Sequence, residues 1–424
     1  MLDDLFEFLQ EGVTPYHAAA TAAAWLDAAG FTRLEEADYW NLEPGKGYYI
    51  LRNGSAVVAW RIPDHAIGGW RITASHSDAP GWKIKSDAVT NDGCRRLSVE
   101  GYGGMIMSSW LDRPLTVAGR VLVRAGDAIE TRLVYVDRDL LLIPNVAIHM
   151  NREANSGYKY DMKRDMVPLM GTGEAKGALR GQVAQAAGCA PEDILGWDLF
   201  LCLRQKGLVW GAKGEFISAP RLDDLQCAYG CFQGFLAASD SASVPVFALL
   251  DNEEVGSLTK QGADGTFLSD LIDRLCAALG RDRATAVANS FMVSADNAHA
   301  VHPNHPEYAD ATHRPVMNGG VVIKHGVRYA TDGAAQAVFT ALCQKAGVPV
   351  QHFSNRSDLA GGSTLGNISN AHVSLNTVDI GLAQLAMHSC FETAGAEDTE
   401  HLIRAMTAFY SASFREDNGT FTLA

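Results

Sequence analysis

Several features are scarce in this chain of 424 residues, and each shortage excludes some classes of protein or partner. Basic side chains are outnumbered, with 35 Lys and Arg against 49 Asp and Glu, and the formal net charge is -14 at pH 7. A surface of that sign repels nucleic acid and anionic membranes, so we expect neither as a partner. No uninterrupted apolar run is long enough to cross a bilayer.

Cysteine is also used sparingly, and its spacing excludes two classes of protein. The eight cysteines are scattered and form no C-x-x-C pair, so neither a structural zinc site nor a secreted disulfide framework is indicated. The first residues, Met1 to Leu5, are acidic and lack the basic region that opens a signal peptide. We therefore expect a cytoplasmic protein.

What the chain does have is a pair of adjacent carboxylates directly after a buried segment. Asp251-Asn252-Glu253-Glu254 follows the apolar run from Val244 to Leu250. Ionised carboxylates in a poorly solvated place are costly unless a cation holds them there. A divalent metal supplies that charge, and a neighbouring carboxylate can then move protons. A solvated loop is the ordinary alternative for this motif taken alone.

The same pattern recurs along the chain, which favours a metal site. Metal-type side chains stand at the ends or starts of further apolar segments, and these are His76, Asp223, Asp296 and His388. Ligands bind outside the carboxyl ends of the strands in open α/β sheets. A ligand set of His, Asp and Glu without Cys is expected for catalytic zinc, manganese or cobalt.

Each of these residues also has an ordinary interpretation. A lone histidine such as His76 is usually hydrogen-bonded in a core or on a surface. Asp78, two residues later, is an acceptor that would fix its tautomer. Asp223 could be a carboxylate that stabilises a helix N-terminus, and its neighbour Asp224 offers the same chemistry.

The motifs, taken together and in order, resemble those of the M18 metallo-aminopeptidases, the aspartyl-aminopeptidase-like enzymes. The matching segments cover nearly the whole chain: His76 to Gly81, Val99 to Gly104, Asp112 to Leu115, Ala147 to His149, Arg221 to Leu225, Asp251 to Ser257, Ser294 to Asn304, Arg328 to Asp332 and Met387 to Ser389. The resemblance implies a zinc peptidase that removes N-terminal residues from peptides.

The resemblance also implies residue roles. Glu253 would be the general base. Asp78, two residues after the ligand His76, would be the second catalytic residue. The metal ligands would be His76, Asp223, Glu254, Asp296 and His388. Two divalent ions are implied, with zinc expected and manganese or cobalt as alternatives. His149 is a further candidate, acting at the metal centre or reaching the pocket of a neighbouring subunit. His302 and Lys324 would contact substrate, His302 near the scissile carbonyl and Lys324 at an acidic side chain.

The order of secondary structure signals predicts an α/β fold with an insertion. Strands and helices alternate at first, serial strand-like segments with Gly and Asp between them follow, and the alternation then resumes. We predict a mixed-sheet catalytic domain of the zinc-peptidase type, made of residues 1–87 and 219–424. A mainly β domain, residues 88–218, would interrupt it, and the family resemblance implies that this insert serves in dimerisation.

The function predicted from the sequence is a two-metal aminopeptidase with a preference for an N-terminal Asp or Glu. A related dinuclear amidohydrolase, such as a deacylase or carboxypeptidase, is one alternative. A non-catalytic assembly or cargo protein on the same fold is another, but such a protein would be expected to lack a ligand or Glu253. The resemblance implies a closed homo-oligomer, a dodecamer built of dimers.

Overall fold

The fold was analysed in a computed structural model of the chain. The structure describes residues 1–64, 68–174, 177–359, 361–362 and 364–423. These residues form two compact units, and each is described by itself. The first unit contains Met1–Asp78, Gly207–Met387 and Glu392–Ala424, and the second contains Ala79–Lys206 and His388–Phe391.

The helices alternate with strands outside the middle of the chain. In chain order they are α1 (Leu2–Glu11), α2 (Pro15–Ala28), α3 (Ala178–Ala187), α4 (Leu222–Ala237), α5 (Phe267–Ala278), α6 (Arg283–Ala288), α7 (Gly333–Lys345), α8 (Leu365–Ser369) and α9 (Asp398–Ser411). Short 3-10 turns occur at Met107–Trp110, Pro191–Asp193, Glu253–Val255 and Pro306–Tyr308. Within the described ranges, each helix is either too short or too polar to pass through a membrane.

The strands are numbered in chain order. They are β1 (Thr32–Arg33), β2 (Gly47–Arg52), β3 (Ala56–Arg61), β4 (Gly69–His76), β5 (Gly81–Ile84), β6 (Val89–Asn91), β7 (Cys94–Arg96), β8 (Val99–Tyr102), β9 (Leu115–Ala125), β10 (Ala128–Tyr135), β11 (Leu169–Thr172), β12 (Ile194–Leu203), β13 (Leu208–Trp210), β14 (Phe216–Ala219), β15 (Ser243–Leu250), β16 (Phe291–Ala295), β17 (Ala298–His299), β18 (Val321–His325), β19 (Val350–Ser354), β20 (Asn376–Gly381), β21 (Ala383–Leu385), β22 (Glu392–Gly395), β23 (Phe414–Asp417) and β24 (Thr420–Leu423).

A nine-stranded mixed sheet organises the first unit. Its strand order is β1-β2-β3-β15-β4-β16-β20-β18-β19. The four central strands β15, β4, β16 and β20 run parallel to one another. Their carboxyl ends therefore open at one edge of the sheet, where ligands bind in α/β proteins. A smaller sheet, β13-β14-β22-β21-β17, and the hairpin β23-β24 also belong to this unit.

The central strands are apolar on both faces because helices cover both sides, as expected for buried parallel strands. On β15, Phe247 and Leu249 pack into a core with α1, α2, α4, α7 and α9. The alternate residues Val246 and Ala248 pack into a second core with α5 and α8. Alternation of side chains along the strand explains why one run of apolar residues serves two cores.

The second unit is mainly β. Its five-stranded sheet has the order β10-β9-β12-β5-β8, and every neighbouring pair is antiparallel. A three-stranded sheet, β11-β7-β6, and helix α3 complete it. Its core is separate from those of the first unit and includes Val117, Val121, Leu179 and Leu199.

The predicted α/β fold class is confirmed, while the compact units divide at other positions than the predicted domain boundaries. The first crossing follows Asp78 and the return comes at Gly207, whereas the sequence placed the first crossing after residue 87 and the return at residue 219. Strand pairing decides these positions, since β5 pairs with β8 and β12 whereas β13 pairs with β14. Such partners are not visible in local composition. The dimerisation role of the insert stays a prediction.

Candidate metal centre

Three neighbouring parallel strands place the candidate residues at one edge of the large sheet. His76 is the last residue of β4, Asp251 follows β15 directly, and Asp296 follows β16 directly. The sheet order β15-β4-β16 makes these strands adjacent although they are far apart in sequence. The carboxyl ends of the three strands therefore bring a histidine and several carboxylates together.

His76 lies at the centre of this arrangement and is fully buried, with 1% of its surface exposed. Its Nδ1 lies 3.0 Å from the backbone oxygen of Asp78, which leaves Nε2 to face the cluster. Nε2 lies 3.5 Å from Asp223 Oδ1 and 3.8 Å from Asp296 Oδ1. A carbonyl that fixes one ring nitrogen in this way is typical of a ligating histidine.

Two consecutive aspartates at the start of α4 supply the next part of the cluster. Asp223 and Asp224 have non-helical backbone angles and a cis peptide bond between them, so the regular helix begins after them. Asp223 N donates to Glu392 Oε2 at 3.0 Å, and His76 N donates to Asp224 Oδ2 at 3.0 Å. One ligand atom from each of His76, Asp223, Asp224 and Asp296 lies within 4.8 Å of the others.

Glu253 and Glu254 form the adjacent part of the site. They occupy the 3-10 turn Glu253–Val255 that follows β15. One carboxylate oxygen of each glutamate and one ring nitrogen of His76 lie within 4.8 Å of one another. Asp78 holds this turn in place, because its Oδ1 accepts from Glu253 N at 3.1 Å and its Oδ2 accepts from Glu254 N at 3.2 Å. Asp78 therefore braces the histidine and both glutamates at once.

The crowding of acidic groups perturbs their proton affinities. Burial raises the pKa of Asp224 well above its usual value. Burial, opposed by His76 and reinforced by Asp296, raises the pKa of Glu253 to about 7. Burial alone would lower the pKa of His76, but the facing carboxylates, Asp223 first, raise it well above its usual value. Such perturbation by burial and specific charges is frequent at functional sites.

The residues present fit a divalent cation. Asp224 Oδ1 is buried and has no hydrogen-bond partner among the described residues, and a buried carboxylate oxygen without compensation is costly. Three aspartates and a histidine converge on the same small volume. Oxygen and imidazole donors without thiolate suit catalytic zinc and similar ions.

The two proposed substrate contacts lie in different surroundings. Lys324 is buried on β18, and its Nζ lies 3.1 Å from Asp296 Oδ2. Burial lowers the pKa of Lys324, but Asp296 outweighs this effect and raises the pKa above its usual value. His302 is exposed and lines a cavity of about 390 Å³ within the first unit, together with His313, Phe353 and Ser354.

The remaining two candidates belong to the second unit. His388 opens the short segment His388–Phe391, has a positive φ, and places its Nδ1 3.0 Å from the backbone oxygen of Gly104. A carbonyl in contact with one ring nitrogen in this way orients a histidine whose other nitrogen binds a metal. His149 lies in an exposed turn. The roles of both histidines stay predictions.

Sequence reasoning left Asp224 and Glu392 without a role. Asp224 lies in the four-residue cluster, and Glu392 supports Asp223 through its backbone N–H. The repeated Asp in Asp223-Asp224 was a signal for the first. No local signal marks Glu392, because β22 meets β14 only in the tertiary structure.

Comparison with known proteins identifies a family model and relatives that match nearly the whole chain. Residues 8–410 match the family model described as aminopeptidase I zinc metalloprotease (M18). A probable M18 family aminopeptidase 2 of Clostridium novyi (strain NT) is 39% identical over 424 residues, covering 96% of this chain and 98% of that protein.

Solved structures are similar as well. A chain in the cryo-EM structure of the Ape4 and Nbr1 complex has a TM-score of 0.93 at 33% identity, covering 96% of this chain and 85% of that one. The structure of the S. cerevisiae mApe1 dodecamer has a TM-score of 0.83 at 29% identity, covering 96% and 95%.

Proposed function

Since the chain belongs to the M18 family of zinc metallo-aminopeptidases, we propose that it hydrolyses peptides with two divalent ions at the edge formed by β4, β15 and β16. The residues that would hold the ions are His76, Asp223, Glu254, Asp296 and His388. Zinc is the expected metal. The alternative of a non-catalytic assembly protein is not supported, because the family is one of peptide hydrolases.

One observation carries this proposal. Two groups of ligand atoms, one with three aspartates and one with two glutamates, both include His76 and both fall within 4.8 Å. A single ion needs three or four protein ligands, and two-metal hydrolases place their ions about 3.5–4 Å apart. The number and closeness of the donors favour two ions over one.

The chemistry divides between the ions and Glu253. Bound divalent ions would lower the pKa of a water molecule and stabilise negative charge that develops on the scissile carbonyl oxygen. Glu253 takes the proton of the attacking water and delivers it to the leaving amine nitrogen. Burial raises the pKa of this carboxylate above its usual value, which favours its use as a proton carrier.

Asp78 keeps the geometry of that proton transfer. It accepts from the backbone of both glutamates, and its own backbone oxygen lies 3.0 Å from His76 Nδ1. The side chain is fully buried, so these acceptors are shielded from water. We therefore assign Asp78 a positioning role.

Removal and return of metal tests the proposal. A chelator should abolish hydrolysis of aminoacyl chromogenic substrates, and zinc, manganese or cobalt should restore it. Elemental analysis of the active protein should give two ions per chain. One ion per chain at full activity would leave the aminopeptidase assignment standing and remove the two-metal proposal.

A preference for an N-terminal Asp or Glu is the finer part of the proposal. Lys324 supports it, because its ammonium has three donors and Asp296 lies within reach of one. We expect kcat/KM to be higher on Asp- and Glu-substrates than on Leu-substrates, and Lys324→Ala to abolish the difference. Peptides with a blocked N-terminus should resist cleavage, whereas a deacylase would accept them.

A further inference from the structure

A second group of histidines lies away from the metal centre. His313, His325 and His352, called here the three-histidine cluster, come from two strands and one loop of the first unit. His325 ends β18, His352 lies in β19, the edge strand of the large sheet, and His313 lies in the loop before β18. None has a role in the proposed peptide hydrolysis.

Strand geometry separates this cluster from the metal centre. Lys324 contacts Asp296, and successive residues of a strand point to opposite faces. His325 therefore leaves β18 on the opposite face. In the parallel pair β18–β19, Ile323 is opposite His352 and His325 is opposite Ser354, so His325 and His352 share one face. Lys324 and its contact with Asp296 are on the other face.

The centroids of the three rings are about as far apart as those of imidazoles bound to one ion. The ring centroids are separated by 5.1 Å for His325 and His352, 5.4 Å for His313 and His325, and 5.8 Å for His313 and His352. Imidazoles on a tetrahedral ion, with metal–nitrogen bonds of about 2.0–2.1 Å, have centroids roughly 5 Å apart. The spacing of the cluster is therefore near that of a histidine metal site.

Two of the ring nitrogens already face each other. His325 Nε2 and His352 Nδ1 are 2.9 Å apart, joined by one shared proton. If that proton moves to the other nitrogen of the ring that carries it, His325 Nε2 and His352 Nδ1 each present a lone pair. A tetrahedral ion would hold them about 3.3 Å apart, so the nitrogens must separate by a few tenths of an ångström and the two rings must turn until their lone pairs converge on the ion.

His313 is the adjustable third member. The cluster does not yet hold three ring nitrogens within 4.8 Å of one another in the described residues, so His313 must turn to complete it. Its Nδ1 lies 2.7 Å from Ser354 Oγ, a contact that fixes one ring nitrogen and leaves Nε2 for an ion. Because His313 and Ser354 line the cavity of about 390 Å³, ions can reach the site from solvent.

We propose that the three-histidine cluster is an additional binding site for a borderline transition-metal ion, of the class of zinc, nickel or copper(II). Neutral imidazoles suit these ions, whereas calcium and magnesium prefer oxygen donors. Burial and then the neighbouring imidazoles lower the pKa values of His325 and His352, which favours the neutral form that ligates. His325 and His352 hold the ion first, and His313 closes on it.

Copper(II) is the probe for the test, because its paramagnetic resonance spectrum reports nitrogen ligands. The zinc-loaded enzyme is titrated with copper(II), and the bound copper is counted and its spectrum recorded. The wild-type protein should bind one copper ion per chain with two or three nitrogen ligands. The double variant His325→Gln/His352→Gln should lose that spectrum and bind copper at least about tenfold more weakly.

The matched control removes two histidines outside the cluster. His305→Gln/His372→Gln, both at exposed positions, should keep the copper spectrum and affinity. If the double variant does not fold, His352→Gln alone on the edge strand provides the comparison. Unchanged copper binding without the cluster histidines would overturn the proposal. Zinc content and peptidase activity, measured in parallel, report separately on the catalytic centre.

Discussion

Glu253 shows how one residue acquires its chemistry from its surroundings. Burial raises the pKa of its side chain to about 7. Its backbone N–H donates to Asp78 Oδ1, which fixes the position of the residue. The change Glu253→Gln removes the proton carrier and keeps the size of the side chain. We expect turnover to fall by roughly 10²–10⁴-fold, while elemental analysis still finds the metal content of the wild-type enzyme.

The neighbouring carboxylate provides the contrast. Glu254→Gln should lower metal content as well as turnover, because we assign Glu254 as a ligand. If Glu253→Gln lost metal and Glu254→Gln retained it, the two roles would have to be exchanged.

His17 makes the stability of the fold depend on pH. It is half-buried in the first turn of α2, and its Nδ1 lies 2.8 Å from Thr14 Oγ1. Thr14 is the N-cap residue of α2, but its side chain accepts no hydrogen bond from a backbone N–H of the helix. Burial, followed by the charge of Arg221, lowers the pKa of His17 to about 4.

The direction of the pH effect follows from that shift. The unfolded chain takes up a proton at His17 near pH 6.5, whereas the folded chain resists it until about pH 4. The contribution of His17 to stability is therefore intact above pH 6.5 and is lost as the pH falls toward 4, by up to about 3 kcal/mol. In urea unfolding, the free energy of unfolding should fall less over this pH range in His17→Gln than in the wild-type protein. The exposed control His305→Gln should follow the wild-type curve.

At the scale of elements, the contact between α4 and α9 depends on small residues. A Cβ at Gly234 would lie 2.4 Å from Met406 Cβ and 2.9 Å from the backbone Thr407 N, whereas a Cβ at Gly230 would meet only the side chain of Leu402 among its nearest atoms. The backbone of α9 cannot yield as a side-chain tip would. Gly234→Ala should lower the free energy of unfolding by about 1–3 kcal/mol, as measured by urea denaturation.

A helical glycine elsewhere in the chain gives the matched control. Gly181 lies within α3, and a Cβ there would meet no atom within 4 Å. Gly181→Ala should therefore stabilise the protein by about 0.5–1 kcal/mol, because alanine is the better helix former. Equal effects of the two substitutions would argue against close packing of α9 as the cause.

At the scale of the whole molecule, we propose assembly into a homo-oligomer. The similar mApe1 structure is described as a dodecamer. In the second unit, β10 is an edge strand on which Ile129 is 63% exposed and Leu133 39% exposed. An apolar edge strand favours pairing with another chain unless it is covered.

Light scattering at several protein concentrations tests the assembly. We expect a mass near twelve times the chain mass of 45.5 kDa, and a smaller mass for Ile129→Lys/Leu133→Lys. The control is Val327→Lys, at an exposed position outside any strand, which should leave the mass unchanged. A fully active monomer would remove the proposal, together with the idea that His149 serves a neighbouring subunit.

The sequence by itself determined the kind of fold and the enzyme family. Apolar runs such as Val244 to Leu250 specify buried strands through local composition, and ligand-type residues directly after them are read from the same segments. The match of these motifs to the M18 family is confirmed by the family model. These conclusions need only neighbours along the chain.

The tertiary structure decided which of those residues meet. The strand order β15-β4-β16 places positions 76, 251 and 296 side by side, and it arises from pairings between strands far apart in sequence. The pairing of Lys324 with Asp296 depends on the continuation of this order through β20 to β18, and the meeting of His325 with His352 depends on the pairing of β18 with β19. Local patterns cannot predict such contacts, because long-range strand pairing is set by the packing of the whole sheet and not by local propensity.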